Sequence, residues 1–513
     1  MTTTPGTSRA VLVIDVGTSG LRAALVDGDG KIVDYHHVAQ TPSTPSPGLV
    51  EFDAMQMYRA SIEAAGIVVQ RNTQCHVAAL GIANQRASVV AWDARTGEPT
   101  GPALGWQDLR TVIECITAKS EHGLSIAPNQ TATKAAWMIS NHAANTPPDA
   151  LRLGTIDAWL TWKLSGGAAF VTDHTNAAVT GLVDVHTVDW DARVCAIFGV
   201  PVGCLPRVVP SREVVGHVTG HPGLDGIALA ARVGDQQSSL VGQGCTAPGR
   251  TKITFGTGGM LDMYTGSVGP TEAVRTHHGT FPIVAFSLDG SLDGAERDIH
   301  WGTEAVMLSA GTNVEWLCTD MGLITTPQQS DEIARTVSNT AGVSYVPALL
   351  GLGTPDWDYG ARGTLTGLTR GTNRAHIVRA VLEGIAHRGA DLLGAAVAEA
   401  GARGVPAPTS LRIDGGMSRN ATFVQMFADA TGKSVDVSPV AEATTLGAAF
   451  LAGSARDTDA VWSSLEEATA TAVPATRVTP STDSATRAAS RDEWARTLAS
   501  SRAWIPDLTA LDF

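Results

Sequence analysis

With 513 residues, the chain is too long for a single hydrophobic core, so we expect two domains, with a third left open by length alone. Hydrophobic residues make up 43% and charged residues 17%, and no stretch is apolar over the length that crosses a bilayer, which indicates a soluble globular protein without a membrane span. The net charge of -14 and the lack of any basic cluster interleaved with aromatics argue against nucleic acid and anionic membranes as partners.

The N-terminus and the cysteines both favour a cytoplasmic location. Residues 1–10 open with MTTTPGTSR, which lacks the apolar segment of a signal peptide, and we expect a flexible tail there. The cysteines form no CxxC pair, so reduced thiols are expected and neither a disulfide framework nor a structural zinc. They are Cys75, Cys115, Cys195, Cys204, Cys245 and Cys318.

The first elements in chain order are strands separated by small residues. Residues 11–14 are a continuous apolar run, residues 21–26 are a second, and DGDG at 27–30 predicts a turn before a third strand at 31–33. The Pro- and Ser-rich residues 41–48 predict an exposed loop. Two or three antiparallel strands therefore open the fold.

The later elements alternate between helix and strand. Asp53 can cap a helix over 54–69, and residues 77–85 predict a buried strand whose polar end opens a site. Further predictions are a strand pair at 251–266, a long helix at 371–401 capped by Thr372 or Asn373 and ended by Gly401, a strand, turn and helix at 411–433, and a terminal helix at 484–504 anchored by Trp494 and Trp504.

This alternation predicts an α/β fold, and one short pattern recurs within it. Residues 251–266 repeat the design of the first strand pair, with a turn at Gly256, Thr257 and Gly258 between two apolar runs. The recurrence predicts a duplicated domain with two phosphate-binding hairpins that face one cleft. Because the repeat is short, a chance recurrence is the alternative.

The first turn, Gly17-Thr18-Ser19, has the chemistry of an anion site. Glycine lets the backbone approach a bulky anion, while amides and hydroxyls donate to phosphate oxygens. Asp15, at the end of the first strand, is placed to hold Mg²⁺ through water. The alternative is an ordinary Gly-rich turn beside a solvated aspartate.

Several segments together carry a family resemblance. The sequence resembles the FGGY carbohydrate kinases of the actin-like ATPase superfamily, and among them most the glycerol kinases. The segments lie in family order: IDVGTSGLRAALVD, PGLVEFD, GIANQRASVVAWDARTGEPTGPALGWQDLRT, GDQQSSLVGQGCTAPGRTKITFGTGG, ARGTLTGLTRGTNRAHIVRAVLEGIAHR and DGGMSRNATFVQMFADATGKSVDVSPVAEATTLGAAFLAG.

The resemblance implies two actin-like, ribonuclease H-like domains of duplicated topology around a central cleft. It places a substrate-binding domain at 11–245, a nucleotide-binding domain at 246–455 and a helical C-terminal extension at 456–513. It also implies ATP and Mg²⁺ as cofactors, a small polyol or sugar as substrate, and domain closure that excludes water. A homodimer and a homotetramer are both left open.

The resemblance assigns roles to individual residues. Asp235 of GDQQ matches the general base, and Arg86, Trp106 and Gln236 match polyol-binding positions. Asp15 would serve the metal. The nucleotide positions are Thr18, Ser19, Thr257, Gly258, Gly311, Glu315, Gly416 and Asn420, of which Glu315 stands where glycerol kinases often carry Gln.

Three substrate positions depart from glycerol kinases. Ala87 replaces an acidic residue, Asn129 an aromatic one and Met260 a Phe. Donors of bound glycerol that lose an acceptor cost about 1 to 3 kcal/mol each, so we expect weak glycerol binding and a four- or five-carbon polyol or ketose as an equally good candidate. Compensation by a neighbouring residue is the alternative, and His300 and Trp301 either reach the cleft mouth or pack.

Two functions from other classes compete with a kinase. One is a nucleotide-driven clamp that closes on a protein partner, and the other is a pseudokinase that senses a metabolite. The combination of NQR, GWQD and GDQQ argues against the clamp, and the presence of Asp15, Thr18 and Asp235 argues against the pseudokinase. An ATP-dependent kinase, a phosphotransferase with an alcohol acceptor, is therefore the leading prediction.

Overall fold

The computed structural model describes residues 8–270, 274–288, 298–438 and 442–509. Up to residue 242 the strands are β1 (Ser8–Val16), β2 (Gly20–Asp27), β3 (Ile32–Ala39), β4 (Glu51–Phe52), β5 (Cys75–Asn84), β6 (Val90–Asp93), β7 (Glu98–Pro99), β8 (Ala103–Leu104), β9 (Leu151–Gly154), β10 (Val171–Asp173), β11 (Val183–Asp184), β12 (Asp189–Trp190), β13 (Arg207–Val209) and β14 (Leu229–Gly234). The helices there are α1 (Ala54–Arg71), α2 (Val112–His122), α3 (Thr131–Asn141), α4 (Ile156–Leu164), α5 (His174–Ala178), α6 (Ala192–Ile197) and α7 (Asp235–Gly242).

Beyond residue 242 the strands are β15 (Thr251–Phe255), β16 (Gly259–Gly266), β17 (Phe281–Leu288), β18 (Asp298–Met307), β19 (Ser344–Val346), β20 (Thr364–Thr366), β21 (Ser410–Asp414), β22 (Ser434–Val437) and β23 (Thr476–Val478). The helices are α8 (Gly311–Thr319), α9 (Gln329–Ala334), α10 (Arg374–Ala402), α11 (Ala421–Thr431), α12 (Ala443–Gly453), α13 (Leu465–Ala470), α14 (Ser484–Ala499) and α15 (Pro506–Thr509). Short 3-10 turns lie at Val202–Cys204 and Gly416–Arg419.

Two large sheets share one topology. The first has the order β14-β5-β1-β2-β3, in which β1, β2 and β3 run antiparallel and β5 and β14 run parallel to β1. In the second, β15, β16 and β18 run antiparallel, and β21 and β22 run parallel to β15. The second sheet adds β17 and β23 at its two edges. The predicted duplication is therefore confirmed, and hairpin β15–β16 corresponds to hairpin β1–β2.

Helices cover both sheets. The first sheet packs one face against α1 and α4, and its other face against α7 and α12. The second packs against α10 and α11. Although the sequence assigned α12 to the nucleotide-binding domain, it lies on the first sheet, and the domain boundaries stay a prediction.

Helices α7 and α12 meet at very close range between the two sheets. A Cβ at Gly447 of α12 would lie 1.8 Å from the Ser238 carbonyl oxygen of α7, so only glycine allows this approach. Both helices contribute to the predicted site, because α7 begins at Asp235 and the Thr445 side chain of α12 donates to Asp15.

Several local predictions can be compared with the structure. Asp53 caps α1, and Asn373 caps α10 in a capping box. Gly401 does not end α10, because the helix continues to Ala402 and its cap is Arg403.

The terminal helix is α14, and only one of its two predicted anchors packs. The Trp494 ring stacks on His387 with centroids 5.3 Å apart, and its Nε1 donates to Asp391, whereas Trp504 is 67% exposed. Trp504 lies beyond the end of α14. Most of the predicted N-terminal tail lies outside the described residues.

The six cysteines are all free thiols, as the sequence predicted. None of the described helices is both long and apolar enough to cross a membrane.

Candidate functional site

The first hairpin turn places its hydroxyls at the edge of the first sheet. The Gly17 amide donates to the Gly20 carbonyl at 2.9 Å, which closes the turn, and Ser19 is exposed at its tip. The Thr18 hydroxyl accepts a hydrogen bond of 3.1 Å from Nε1 of Trp106. A predicted phosphate-binding residue and a predicted substrate-binding residue are thereby brought together.

Asp15 stands two residues before this turn, opposite Arg22 on β2. Its Oδ2 accepts from the Thr445 hydroxyl at 3.0 Å. Burial raises the pKa of the Asp15 carboxyl to about 6, and the nearby Asp235 carboxylate adds to this effect. A carboxylate with few donors around it suits a divalent cation, whose charge would replace the missing solvation.

In the part of the chain that the structure describes, no three His, Cys, Asp or Glu side chains form a group that could hold a metal by themselves. Mg²⁺ is commonly held by one or two carboxylates together with phosphate oxygens and water. The donors at Asp15 therefore fit Mg²⁺ that arrives with a nucleotide.

The second hairpin turn packs against the start of α8. The Gly311 amide donates to the Gly256 carbonyl at 2.9 Å, and the Thr257 carbonyl accepts from the Thr312 hydroxyl at 2.9 Å. A Cβ at Gly311 would lie 2.6 Å from the Gly256 carbonyl oxygen, so glycine is needed there. The turn leaves the Thr257 side chain exposed and Gly258 half-buried, which fits a loop that receives phosphates.

The remaining predicted nucleotide residues differ in their surroundings. A Cβ added at Gly416 would meet no atom within 4 Å, so this position faces open space. Asn420 caps α11 by accepting from the Phe423 amide, and its own amide donates to Ser330 at 3.0 Å. Glu315 lies exposed on α8. Asn420 has a structural role that leaves its part in nucleotide binding a prediction.

Asp235 begins α7, directly after β14, and its side chain is half-buried. Its Oδ1 accepts from the Gln236 amide at 2.8 Å, and Nε of Arg86 lies 3.7 Å from the same oxygen. Burial raises the pKa of the Asp235 carboxyl, while Arg86 lowers it. A buried carboxylate with a raised pKa is a stronger base than one in water.

Three buried charged residues lie side by side on adjacent strands of the second sheet. Lys252 on β15 lies opposite Asp262 on β16, which lies opposite Glu304 on β18. Nζ of Lys252 is 2.8 Å from Oδ2 of Asp262, and Nη2 of Arg86 is 2.7 Å from Oε2 of Glu304. We call Lys252, Asp262, Glu304 and Arg86 the charge ladder.

The charge ladder also reaches the other predicted substrate residue. Nζ of Lys252 donates to Oε1 of Gln236 at 2.7 Å. Glu304 and Lys252 therefore hold Arg86 and Gln236 in turn, the two neighbours of Asp235. Glu304 supplies a carboxylate at Arg86 although position 87 is alanine. Compensation for the three departures stays a prediction.

The three departures occupy different places. Ala87 is buried with a φ of 59°, Asn129 is exposed in the turn before α3, and Met260 is half-buried opposite Val306. The resemblance to glycerol kinases leads us to expect an aromatic side chain at position 129 of the substrate pocket. The exposed Asn129 is consistent with a more open pocket at this position.

Lys134 of α3 joins two walls of the predicted substrate pocket. Its Nζ donates to the Asn129 carbonyl at 2.9 Å and to the carbonyl of Gly105, the residue before Trp106, at 3.1 Å. Burial lowers the pKa of the Lys134 ammonium to about 7. Lys134 thus holds the Asn129 turn and the Trp106 segment together.

His300 and Trp301 pack and do not reach out from the cleft mouth. Nδ1 of His300 pairs with the Tyr264 hydroxyl at 2.6 Å, its ring stacks on Phe286, and Trp301 is buried.

Sequence reasoning missed Lys252, Asp262, Glu304 and Lys134. A signal was present for two of them, since TKITF and GMLDMY each place one charged residue inside an otherwise uncharged strand. A charge in such a strand must be paired, and pairing in the cleft is one solution.

Comparisons with known proteins agree with this architecture. Residues 10–242 match the sequence model of the N-terminal domain of the FGGY family of carbohydrate kinases, and residues 251–456 match that of its C-terminal domain. The chain belongs to this family. As a carbohydrate kinase it is a phosphotransferase with an alcohol acceptor, and ATP with Mg²⁺ is the phosphoryl donor in this family.

Similar proteins include glycerol kinases. The chain is 38% identical over 463 residues to the glycerol kinase of Shewanella woodyi, covering 87% of this chain and 90% of that protein. It is 37% identical over 516 residues to the glycerol kinase of Janthinobacterium sp., covering 97% and 99%.

Solved structures show the same fold over nearly the whole chain. Plasmodium falciparum glycerol kinase with ADP superposes with a TM-score of 0.87 at 28% identity, covering 99% of each chain. The ligand-bound xylulose kinase of Lactobacillus acidophilus superposes with a TM-score of 0.82 at 21% identity, covering 96% of this chain and 97% of that one, and supports the fold alone. The predicted family and the actin-like two-domain architecture are confirmed.

Proposed function

We propose that this family member phosphorylates a hydroxyl of a small polyol or sugar, glycerol kinase-like, with Asp235 as the general base. The observation that carries the proposal is the half-buried Asp235 carboxylate at the start of α7, beside Arg86 and with a raised pKa. Such a carboxylate can accept the proton of an acceptor hydroxyl at neutral pH.

In the proposed reaction, Asp235 takes the hydroxyl proton while the acceptor oxygen forms a bond to the γ-phosphorus of ATP. The bond between that phosphorus and the bridging oxygen breaks, and ADP leaves with the electron pair. Mg²⁺, when bound, would neutralise charge on the phosphates. Thr18, Ser19, Thr257 and Gly258 would contact the phosphates, and Asp15 would hold the metal through water.

Arg86, Gln236 and Trp106 would orient the acceptor. Glu304 holds Arg86, Lys252 holds Gln236, and Thr18 holds Trp106, so each is fixed before substrate arrives. Preorganisation of this kind lowers the entropic cost of aligning the hydroxyl.

A four- or five-carbon polyol or ketose, such as erythritol, a pentitol, xylulose or ribulose, is the second candidate acceptor. The exposed Asn129 and the alanine at position 87 support a roomier pocket. Glu304 favours glycerol as the acceptor, because its carboxylate contacts Arg86 and can take the place of the acidic residue that position 87 lacks. Membership of a carbohydrate kinase family disfavours the clamp and the pseudokinase. We also propose a cytoplasmic location, which fits a kinase that uses ATP and carries free thiols.

The acceptor is identified by measuring ADP release with ATP and Mg²⁺ against glycerol, erythritol, the threitols, the pentitols and the common pentuloses. A glycerol preference would mean that the three departures are compensated. A preference for four or five carbons would assign the altered specificity to Ala87, Asn129 and Met260.

The general base is tested with Asp235→Asn, for which we expect kcat to fall by about 10²- to 10⁴-fold while ATP binding is retained. The wild-type rate should also fall as pH drops through the raised pKa of Asp235, because the protonated carboxyl cannot accept a proton. Asp191→Asn is the matched control, since Asp191 caps α6 away from the cleft. Turnover retained by Asp235→Asn would remove Asp235 from this role.

A further inference from the structure

Glu304 reaches the cleft from the opposite side to the residues that the sequence predicts for substrate. It lies on β18 of the second sheet, whereas Arg86 follows β5 of the first sheet. Oε2 of Glu304 is 2.7 Å from Nη2 of Arg86, and their side chains are only 9% and 11% exposed. Two parts of the chain that are 218 residues apart thus meet in a nearly dry ion pair.

The guanidinium of Arg86 is not fully used by this pair. Nε faces Asp235 at 3.7 Å and Nη2 binds Glu304, but the buried Nη1 has no hydrogen-bond partner among the described residues. An unpaired buried donor carries a desolvation penalty that a bound acceptor would remove. A hydroxyl is suited to this place, because it can accept from Nη1 and donate to a carboxylate.

The surroundings of Glu304 also place a second carboxylate beside it. It lies directly opposite Asp262 in the β16–β18 register, and like charges that face each other across strands destabilise a sheet. Burial raises the pKa of Glu304 to about 7, and Asp262 adds to this while Arg86 opposes it. A purely structural ion pair gains nothing from a second carboxylate beside it, whereas a carboxylate that receives a substrate hydroxyl is stabilised when substrate binds.

Both carboxylates flank one guanidinium, so hydroxyls bound to them lie side by side. We infer that Glu304 is a substrate-binding residue which, with Nη1 of Arg86, recognises the hydroxyl adjacent to the one that is phosphorylated. The acceptor class that this arrangement selects is a vicinal diol, with one hydroxyl at Asp235 and its neighbour at Glu304. The inference rests on the proposed polyol kinase activity and specifies its acceptor.

The test compares acceptors with and without the neighbouring hydroxyl, and glycerol and propane-1,3-diol differ at that hydroxyl alone. Wild-type enzyme should use glycerol or erythritol at least tenfold better, by kcat/KM, than propane-1,3-diol, which lacks the adjacent hydroxyl. In Glu304→Gln we expect KM for glycerol and erythritol to rise about tenfold with little change in kcat or in KM for ATP, while propane-1,3-diol is affected much less. The discrimination between the two kinds of acceptor should therefore shrink.

Two further variants keep this test decisive. Glu383→Gln is the control, because Glu383 forms an ion pair of 3.0 Å with Arg379 on α10, outside the cleft, and it should leave discrimination unchanged. Glu304→Asp keeps the charge but shortens the side chain, so it should also reduce discrimination, and it replaces Glu304→Gln if that variant does not fold.

The outcomes separate the two proposals. Undiminished discrimination in a folded Glu304 variant, or equal losses for all acceptors, would overturn the role of Glu304 and leave the polyol kinase in place. Wild-type enzyme that phosphorylates no acceptor would overturn the proposed function, and the inference with it.

Discussion

Hairpins β1–β2 and β15–β16 occupy equivalent positions in the two sheets but place their charges differently. In the first, the charged pair Asp15 and Arg22 is the second pair from the turn, and the fourth pair is Val13 with Ala24. In the second, the second pair is Thr254 with Met260, and the fourth is Lys252 with Asp262. The first hairpin thus carries a carboxylate close to its turn, whereas the second carries an ion pair two residue pairs further from its turn.

The difference follows from what covers each sheet. Val13 packs against the apolar side chains of α12, so the pair of Val13 and Ala24 in the first sheet must be apolar. The corresponding rung of the second sheet faces Gln236 of α7 and the cleft, where Lys252 finds polar partners. The two sheets share a topology because the domain is duplicated. The helix that packs on each sheet determines whether the fourth residue pair of its hairpin can carry a buried charge.

The largest effect is expected from breaking the charge ladder. Lys252→Met removes the cation between Asp262 and Gln236, and loss of one partner from a buried ion pair costs about 3 to 5 kcal/mol. We expect a clear fall in the urea midpoint of unfolding, followed by circular dichroism.

Two comparisons show whether the pairing is responsible. The double variant Lys252→Met with Asp262→Leu should recover most of the lost stability, because neither strand then carries an unpaired charge at this rung. Arg22→Met in the first hairpin should cost less than about 1 kcal/mol, since its ion pair with Glu442 is partly exposed. Equal losses for Lys252→Met and Arg22→Met would remove the distinction between the hairpins.

An intermediate effect is expected at the metal side of the first hairpin. Asp15→Asn takes away the charge that would hold Mg²⁺, so kcat should fall roughly 10- to 100-fold and half-maximal velocity should need more Mg²⁺. Asp27→Asn is the control, because Asp27 lies at the other end of the same hairpin and accepts hydrogen bonds from the turn amides of Asp29 and Lys31. An unchanged Mg²⁺ dependence in Asp15→Asn would contradict the assignment.

The smallest effect is expected at the two turn threonines. Thr18→Ala removes the acceptor for Nε1 of Trp106, a loss of about 0.5 to 1.5 kcal/mol, so KM should rise a few-fold for both ATP and the polyol. Thr257→Ala has no such link to Trp106 and should raise KM for ATP alone. Steady-state kinetics with each substrate varied in turn measures both, and a rise in polyol KM for Thr257→Ala would show that the turns are not distinct in this way.

Much of the site was predictable because its residues stand in local motifs. Asp15 lies near the end of an apolar strand, and Thr18, Thr257 and Asp235 each follow a strand at a turn or a helix start. A strand end in such a sheet opens toward the cleft. Glu304 was not predictable in this way, since its partner Arg86 is 218 residues away along the chain.

The sequence by itself determined the family, the α/β class, the duplicated hairpins and the residues at their turns, because these depend on apolar periodicity and on turn chemistry within short segments. Only the tertiary structure decided that α12 lies on the first sheet, that Lys134 ties Asn129 to the segment of Trp106, and that Glu304 meets Arg86. The reason is physical: a buried charge takes the partner that packing brings within hydrogen-bond distance, and that partner has no fixed separation in sequence.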